Sequence, residues 1–140
     1  MRRFAAFALG LSALALSACA ATGEAANQQY TVSGKIAYRE RIALPPTAQI
    51  EVTLADVSLA DAPSRTLASQ RFGAEGRQVP FAFALTVDRA DLDPRHSYAV
   101  SARITDADGK LMFITDTRNS VTFTSASTID MGMLNLVKTN

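Results

Sequence analysis

The sequence is poor in the residues on which much protein chemistry depends. Its 140 residues include one cysteine, one histidine and no tryptophan. A single cysteine excludes an internal disulfide framework, and together with a single histidine it leaves too few ligands for a zinc site made by this chain alone. Excess charge is also missing, because 14 basic and 13 acidic residues give a net charge of +1. No nucleic-acid partner is therefore expected.

The first part of the chain has the composition of an export signal. Arg2 and Arg3 are followed by an apolar run from Phe4 to Leu16. That run of about 13 residues is shorter than the ~20 residues that a membrane-spanning helix needs. A charged start, a short apolar run and small residues at its end are typical of a secretory signal peptide. The alternative is a buried core helix, but nothing further along the chain offers it a helical partner.

The apolar run ends in a motif that is more specific than an ordinary cleavage site. Leu16, Ser17, Ala18 and Cys19 resemble the lipobox of bacterial lipoprotein precursors, in which small residues precede an obligatory cysteine. The resemblance implies removal of residues 1–18, attachment of diacylglycerol to the Cys19 thiol, and acylation of the new amine, with palmitate as the expected fatty acid. An ordinary signal peptide whose cleavage site happens to contain a cysteine is the alternative.

Residues 19–29 are predicted to be the acylated cysteine and a flexible tether, because the residues after Cys19 are small and polar and have no period. Without Arg2 and Arg3 the mature chain keeps twelve basic residues against 13 acidic ones, a net charge of −1. The acyl chains, and not a basic patch, must then hold it on the membrane. Ala20, in place of the Asp that tends to retain lipoproteins in the inner membrane, indicates the outer membrane, with the domain in the periplasm.

Residues 30–140 are predicted to form one all-β domain. Apolar residues alternate with polar ones, which is the period of a half-buried strand. The clearest apolar faces are those of Tyr30 to Tyr38, Ile50 to Leu54, Phe81 to Val87 and Tyr98 to Ile104. Further strands are predicted at 65–72, 110–116, 121–123 and 131–137. Seven to eight short strands with turns between them predict a single antiparallel β-sandwich or an open barrel.

The segment after the first strand combines an unusual charge pattern with two prolines. Glu40 lies between Arg39 and Arg41 and has the parity of the inward face. An inward carboxylate needs an arginine or backbone partner. Glu40 is therefore either solvated or structurally paired at the sheet edge, or it contacts a ligand or partner. Pro45-Pro46 removes two backbone donors and predicts a bend without ladder bonds between strands at 30–42 and 48–56.

Asp108-Gly109 is the turn signal of a β-hairpin. A two-residue loop there would place Arg103 opposite Ile114 and would make Asp116 the diagonal neighbour of Arg103. An Arg103–Asp116 ion pair with a structural role is therefore predicted on the outer face.

No catalytic residue, cofactor or metal site is predicted. The sequence has no Gly-x-Ser-x-Gly motif and no glycine-rich phosphate loop, and His96 is its only histidine. Asp106 and Asp108 faintly resemble a calcium loop, but the further oxygen ligands and the closing glutamate are missing. The protein is therefore expected not to be an enzyme.

The string from Tyr38 to Pro46 resembles the signature of the YbaY family of bacterial lipoproteins. The likeness continues in Ile50-Glu51-Val52, Ala60 to Pro63, Gln78-Val79-Pro80, Tyr98 to Ile104 and Phe113 to Asp116. This family is grouped with the YscW-type pilot lipoproteins of type III secretion, β-sandwich proteins that escort a secretin subunit to the outer membrane. The resemblance implies the fold, the anchor and the compartment.

Two classes of function stay open. The first is a non-enzymatic, pilotin-like module that binds or chaperones an envelope protein, and the alternative is a binder of a lipid or glycan component in a groove of the sandwich. An unpaired sheet edge or exposed apolar patch would favour the first, and a cleft lined by Phe, Met and Leu the second. The candidate contact residues are Arg39, Glu40, Arg41, Arg103 and Asp116.

Overall fold

A computed structural model describes residues 28–140, which form eight β-strands. The strands are β1 (Gln29–Tyr38), β2 (Gln49–Asp56), β3 (Arg65–Gly73), β4 (Phe81–Asp88), β5 (Tyr98–Thr105), β6 (Leu111–Ile114), β7 (Asn119–Val121) and β8 (Thr128–Lys138). The predicted signal peptide, the lipobox, Cys19 and most of the predicted tether lie outside the described residues. Within those residues no helix is long and apolar enough to cross a membrane.

The strands form one continuous sheet in the order β3-β2-β5-β6-β8-β1-β4, and β7 pairs with β5 beyond the end of β6. All pairs are antiparallel except β1 with β8. The sheet curls until its first and last strands meet, where the Gln70 side chain of β3 accepts a hydrogen bond of 2.9 Å from the Ala84 backbone N–H of β4. The predicted all-β fold is confirmed, and the curled sheet has the shape of a barrel.

The core is built from the inward residues that the alternation predicts. In β4 the side chains of Phe81, Phe83, Leu85 and Val87 are buried while the residues between them are exposed. The same pattern in β2 and β5 places their inward faces against those of β1 and β4. Removal of this apolar surface from water is the main favourable term in folding, about 25 cal/mol per Å².

The segment with two prolines is a bend outside the sheet, as predicted. β1 ends at Tyr38, four residues before the predicted end at 42, and residues 41–48 belong to no strand. The backbone of Leu44 is held by the Gln78 side chain, which accepts from the Leu44 N–H at 2.7 Å and donates to its carbonyl at 3.1 Å. These two bonds replace the ladder that Pro45 and Pro46 interrupt.

The β5–β6 hairpin has the predicted register, with a longer loop than predicted. Arg103 lies opposite Ile114, as a two-residue turn requires, but Thr105 then pairs with Leu111, so the register shifts by one residue. The Asp106 carboxylate accepts hydrogen bonds from two backbone N–H groups of the loop, each at 2.9 Å. This Asx-type closure stabilises a wider loop and explains the shift.

β1 and β8 approach each other at two glycines. Their register shifts between Ser33 and Lys35, which marks a β-bulge. A Cβ atom added to Gly34 would lie 2.8 Å from the carbonyl oxygen of Gly132 and 2.9 Å from the Phe83 ring. Gly132 has a φ of 67°, which other residues rarely adopt. The parallel pair therefore depends on glycine at this point.

Candidate binding surfaces

For most of its length β8 is paired along one edge only. β1 pairs with residues 128–136, whereas β6 pairs only with Val137 and Lys138 at the end of the strand. Within residues 28–140 no strand pairs with the second edge of 128–136, which we call the open edge of β8. Met133, an outward side chain of this edge, is 48% exposed, and Val137, just beyond the edge where β6 pairs, is 36% exposed. Unpaired backbone groups beside apolar side chains form a template for another chain.

A cleft of about 300 Å³ lies beside this edge and contains three of the predicted contact residues. Arg39 and Glu40 enter it from the end of β1, and Asp116 enters it from the β6–β7 connection. Met133 and Val137 form its apolar side. We call this surface the edge cleft. Arg41 is exposed and is not part of its lining.

Glu40 is half-buried in the edge cleft, but not for the reason that its parity suggested. β1 ends at Tyr38, so the inward alternation does not extend to Glu40. The Glu40 Oε2 atom is buried and has no hydrogen-bond partner in the described part of the chain. A buried carboxylate oxygen without a donor is costly, so Glu40 gains most from a donor brought by another molecule.

Tyr38 fixes the start of the segment that carries Glu40. Its ring stacks on Phe113 with centroids 3.9 Å apart and planes 10° apart. Its hydroxyl donates to the Ile42 carbonyl at 2.6 Å. Burial raises the pKa of Tyr38, and the nearby Glu40 charge raises it further.

The predicted Arg103–Asp116 ion pair is wrong, because Arg103 has a different partner. Its Nε and Nη2 atoms both donate to Glu51 Oε2 at 2.8 Å, and Arg71 contacts the same oxygen at 3.1 Å. β2 pairs with the other side of β5 and places Glu51 directly opposite Arg103. Burial alone would raise the pKa of Glu51, but the hydrogen bonds and charges of the two arginines outweigh it and lower that pKa.

A larger groove, of about 590 Å³, lies at the end of the domain where β1 begins. Three aromatic rings form its floor, because Phe123 packs 4.9 Å from Tyr30 and 5.6 Å from Tyr98 between ring centroids. Arg89, which follows β4, and Arg118 in the β6–β7 connection also line it. We call this surface the tether-end groove. Its residues come from well-separated segments, so no local motif of the sequence pointed to it.

The acidic groups near the tether-end groove are already paired. His96 Nδ1 lies 2.6 Å from Asp56 Oδ2, and Arg95 Nη2 lies 2.9 Å from Asp93 Oδ2. Hydrogen bonds from Ser58, and then from His96, lower the pKa of Asp56 to about 2. Hydrogen bonds from Arg95 hold the pKa of Asp93 well below its usual range. These carboxylates therefore stay ionised at neutral pH.

The two arginines of the groove have no such partners. The Arg89 guanidinium lies 4.1 Å from the centroid of the Tyr30 ring, which is a cation–π contact. The Arg89 Nε atom is buried without a hydrogen-bond acceptor in the described residues. Arg118 is exposed and forms no salt bridge within 28–140. That part of the chain also contains no group of three or more His, Cys, Asp or Glu side chains that could hold a metal ion.

Comparisons with known proteins confirm the resemblance seen in the sequence. The family model described as "Type III secretion system lipoprotein chaperone (YscW)" matches residues 27–133. The uncharacterised lipoprotein YbaY of Escherichia coli (strain K12) is 44% identical over 119 residues, which are 85% of this chain and 62% of that protein. The chain thus spans about 62% of the length of this curated relative.

A solved structure extends the comparison to the fold. An alternative pilotin from the type II secretion system of Vibrio cholerae is 46% identical in sequence to this chain, and its structure matches with a TM-score of 0.68. The match covers 79% of this chain and 99% of the pilotin chain. The family is of the secretion-chaperone type, which is non-enzymatic. The chain belongs to the YscW family of type III secretion system lipoprotein chaperones.

Proposed function

We propose that the protein is a lipid-anchored chaperone in the periplasm that binds a secretin subunit and brings it to the outer membrane. The observation that carries this proposal is the match to the Vibrio cholerae pilotin over 99% of that chain at 46% identity. The proposed anchor is the acylated Cys19, and Ala20 supports the outer membrane as its destination. The acyl chains keep the domain close to the bilayer in which the secretin assembles.

The proposed partner surface is the edge cleft together with the open edge of β8. The unpaired backbone groups of 128–136 accept an extended segment as an additional strand. Met133 and Val137 supply apolar contacts, and Glu40 has a buried carboxylate oxygen without a donor. This chemistry fits an extended segment that carries apolar side chains and at least one basic residue. An unpaired sheet edge supports a protein partner over a lipid or glycan, because its backbone groups pair with an extended chain.

The test measures secretin delivery in cells whose own copy of the gene is deleted and which receive one version of the chain from a plasmid. Cells express the wild-type chain, a Met133→Asp, Val137→Asp double variant, or Ser69→Asp as a matched control at an exposed position of β3. The amount of secretin in isolated outer membranes is measured by immunoblotting. We expect the double variant to lose delivery, because charges on an edge oppose strand addition, and the control to keep it.

Two results would contradict the proposal. Equal secretin in outer membranes with and without the protein would exclude the delivery function. Full delivery by the double variant would exclude the edge cleft as the partner surface. A Cys19→Ser chain tests the anchor separately, and we expect it to bind the secretin but to leave it outside the outer membrane.

A further inference from the structure

We propose that the tether-end groove binds the phosphate of a zwitterionic phospholipid headgroup, in the membrane to which the protein is anchored. This function is separate from secretin binding, which we place on the edge cleft. The nearness of the groove to the membrane rests on the proposed acylation of Cys19. The capacity of the groove to bind the headgroup rests on its own residues.

The groove adjoins the point where the tether joins the domain. The Arg89 N–H donates to the carbonyl of Gln28 at 2.7 Å, and Tyr30, two residues further along the chain, lies in the groove floor. The covalent path from Cys19 therefore reaches the domain beside this groove. Gln28 lies nine positions after Cys19 in the chain, so the two are at most ~32 Å apart when the chain between them is fully extended.

An exposed apolar side chain lies at the same end. The Val57 N–H donates to the carbonyl of Ser97, a residue of the groove wall, at 2.8 Å. Leu59 lies two residues beyond Val57. Its side chain is 71% exposed, more than any other large hydrophobic residue in 28–140. Leucine and aromatic side chains beside arginine are typical of surfaces that contact the headgroup region of a bilayer.

The chemistry of the groove fits a phosphate group. The buried Arg89 Nε has no acceptor, and the Tyr30 ring beneath the guanidinium limits its orientation. Arg118 provides a second guanidinium, and Ser120 and Thr122 belong to the same lining. Phosphate oxygens are the acceptors that arginine binds best, often through two N–H groups at once.

A zwitterionic headgroup fits better than an anionic one. The predicted mature chain has a net charge of −1, so its overall field does not attract an anionic surface. Arg95 pairs with the Asp93 carboxylate, but the Asp93 side chain stays 31% exposed and lines the same groove as Arg89 and Arg118. A phosphoethanolamine headgroup offers a negative phosphate to the arginines and a positive ammonium to the carboxylate side of the groove.

The chain has a built-in reporter for this site. It has no tryptophan, and two of its three tyrosines, Tyr30 and Tyr98, line the groove. The full chain carrying Cys19→Ser, which has no thiol to acylate, is titrated with dihexanoylphosphatidylethanolamine below its micelle concentration. Tyrosine fluorescence is recorded at each step. Parallel titrations use inorganic phosphate, glycerophosphoethanolamine and dihexanoylphosphatidylglycerol.

We expect a saturable fluorescence change with dihexanoylphosphatidylethanolamine. Arg118→Gln and Arg89→Gln should each weaken the apparent affinity by about tenfold, because each loses a charge-assisted hydrogen bond. Arg65→Gln, an exposed arginine outside the groove, should bind as the wild type does. Because Arg118 is exposed, its variant tests the site even if Arg89→Gln fails to fold.

Three results would overturn the proposal. Unchanged affinity in Arg118→Gln would exclude the arginine site. Inorganic phosphate that binds as tightly as the lipid would show a site for free anions, and tighter binding of phosphatidylglycerol would exclude the preference for a zwitterion. The titration uses a soluble lipid and an unacylated chain, so it does not depend on secretin delivery. A negative titration would therefore not contradict the delivery function, and failed delivery would not contradict this site.

Discussion

The β2–β5 pair and strand β8 belong to the same sheet but differ in how completely their backbones are paired. β2 pairs with β5 over eight consecutive positions without a shift, and its other edge pairs with β3. β8 pairs in parallel with β1 through a bulge, and most of its second edge is open. The regular β2–β5 pair therefore leaves few backbone groups unpaired, whereas β8 leaves the backbone groups of one edge without a strand partner in residues 28–140.

Side-chain burial follows the same division. The inward residues of β2, Ile50, Val52 and Leu54, are fully buried, whereas only Leu134 and Leu136 are buried in the longer β8. A strand that buries fewer side chains contributes less to the core, so it tolerates substitution on its outward face.

Truncating a core side chain of β2 should destabilise the fold far more than truncating an outward side chain of β8. Leu54→Ala should lower the free energy of unfolding by about 2–5 kcal/mol, because it opens a cavity in the core. Met133→Ala, on the outward face of β8, should change it by less than about 0.5 kcal/mol. Denaturant unfolding followed by circular dichroism measures both. Equal losses would show that the outward face of β8 is part of the core.

The next effect tests the glycine contact between β1 and β8. Gly34→Ala should cost about 1–3 kcal/mol of unfolding free energy, because the added methyl group overlaps the Gly132 carbonyl and the Phe83 ring. Gly73→Ala is the matched control, since its Cβ would meet the nearest atom at 3.4 Å. If the two variants are equally stable, the close approach of β1 and β8 is not a constraint.

A smaller effect is expected from the ion pair on the outward face of β2 and β5. A double-mutant cycle on Glu51 and Arg103 should give a coupling energy under about 1 kcal/mol, because both side chains are partly solvated. The same cycle on Arg103 and Asp116 should give none. A measurable coupling of Arg103 with Asp116 would contradict Glu51 as the partner of Arg103.

The smallest effect is a pH dependence at the end of β2. The pKa of Asp56 is lowered from 3.8 to about 2, so its ionised form stabilises the folded state. The stability difference between the wild type and Asp56→Asn should be complete above pH 3.8 and should shrink as the pH falls towards about 2. Unfolding curves recorded across that range measure it. If the stability difference grew on acidification, the ionised form of Asp56 would not stabilise the folded state.

The sequence predicted the strands with strict alternation, and the β5–β6 pairing, because these signals are local. Strict alternation in Ile50 to Leu54 and in Phe81 to Val87 requires a core face, and each of these runs is a strand in the structure. The Asp108-Gly109 signal also predicted the pairing of Arg103 with Ile114. In each case the residues that decide the structure lie within a few positions of one another.

The remaining features depend on pairs that are distant in the chain. Glu51 reaches Arg103 only because β2 lies beside β5, and an outward residue gives no sign of which strand will be its neighbour. The parallel pairing of β1 with β8 joins the two ends of the domain, and alternation does not specify strand direction. Lipidation at Cys19 stays a prediction.

Site-specific photocrosslinking in intact cells tests whether the open edge of β8 contacts the secretin. A benzophenone amino acid replaces Met133 on the open edge of β8 or, as a control, Ser69 at an exposed position of β3. After irradiation, an antibody against the secretin subunit of the same cell detects crosslinked products. We expect a secretin crosslink from position 133 and none from position 69. A crosslink from 69 alone, or equal crosslinks from both positions, would contradict it.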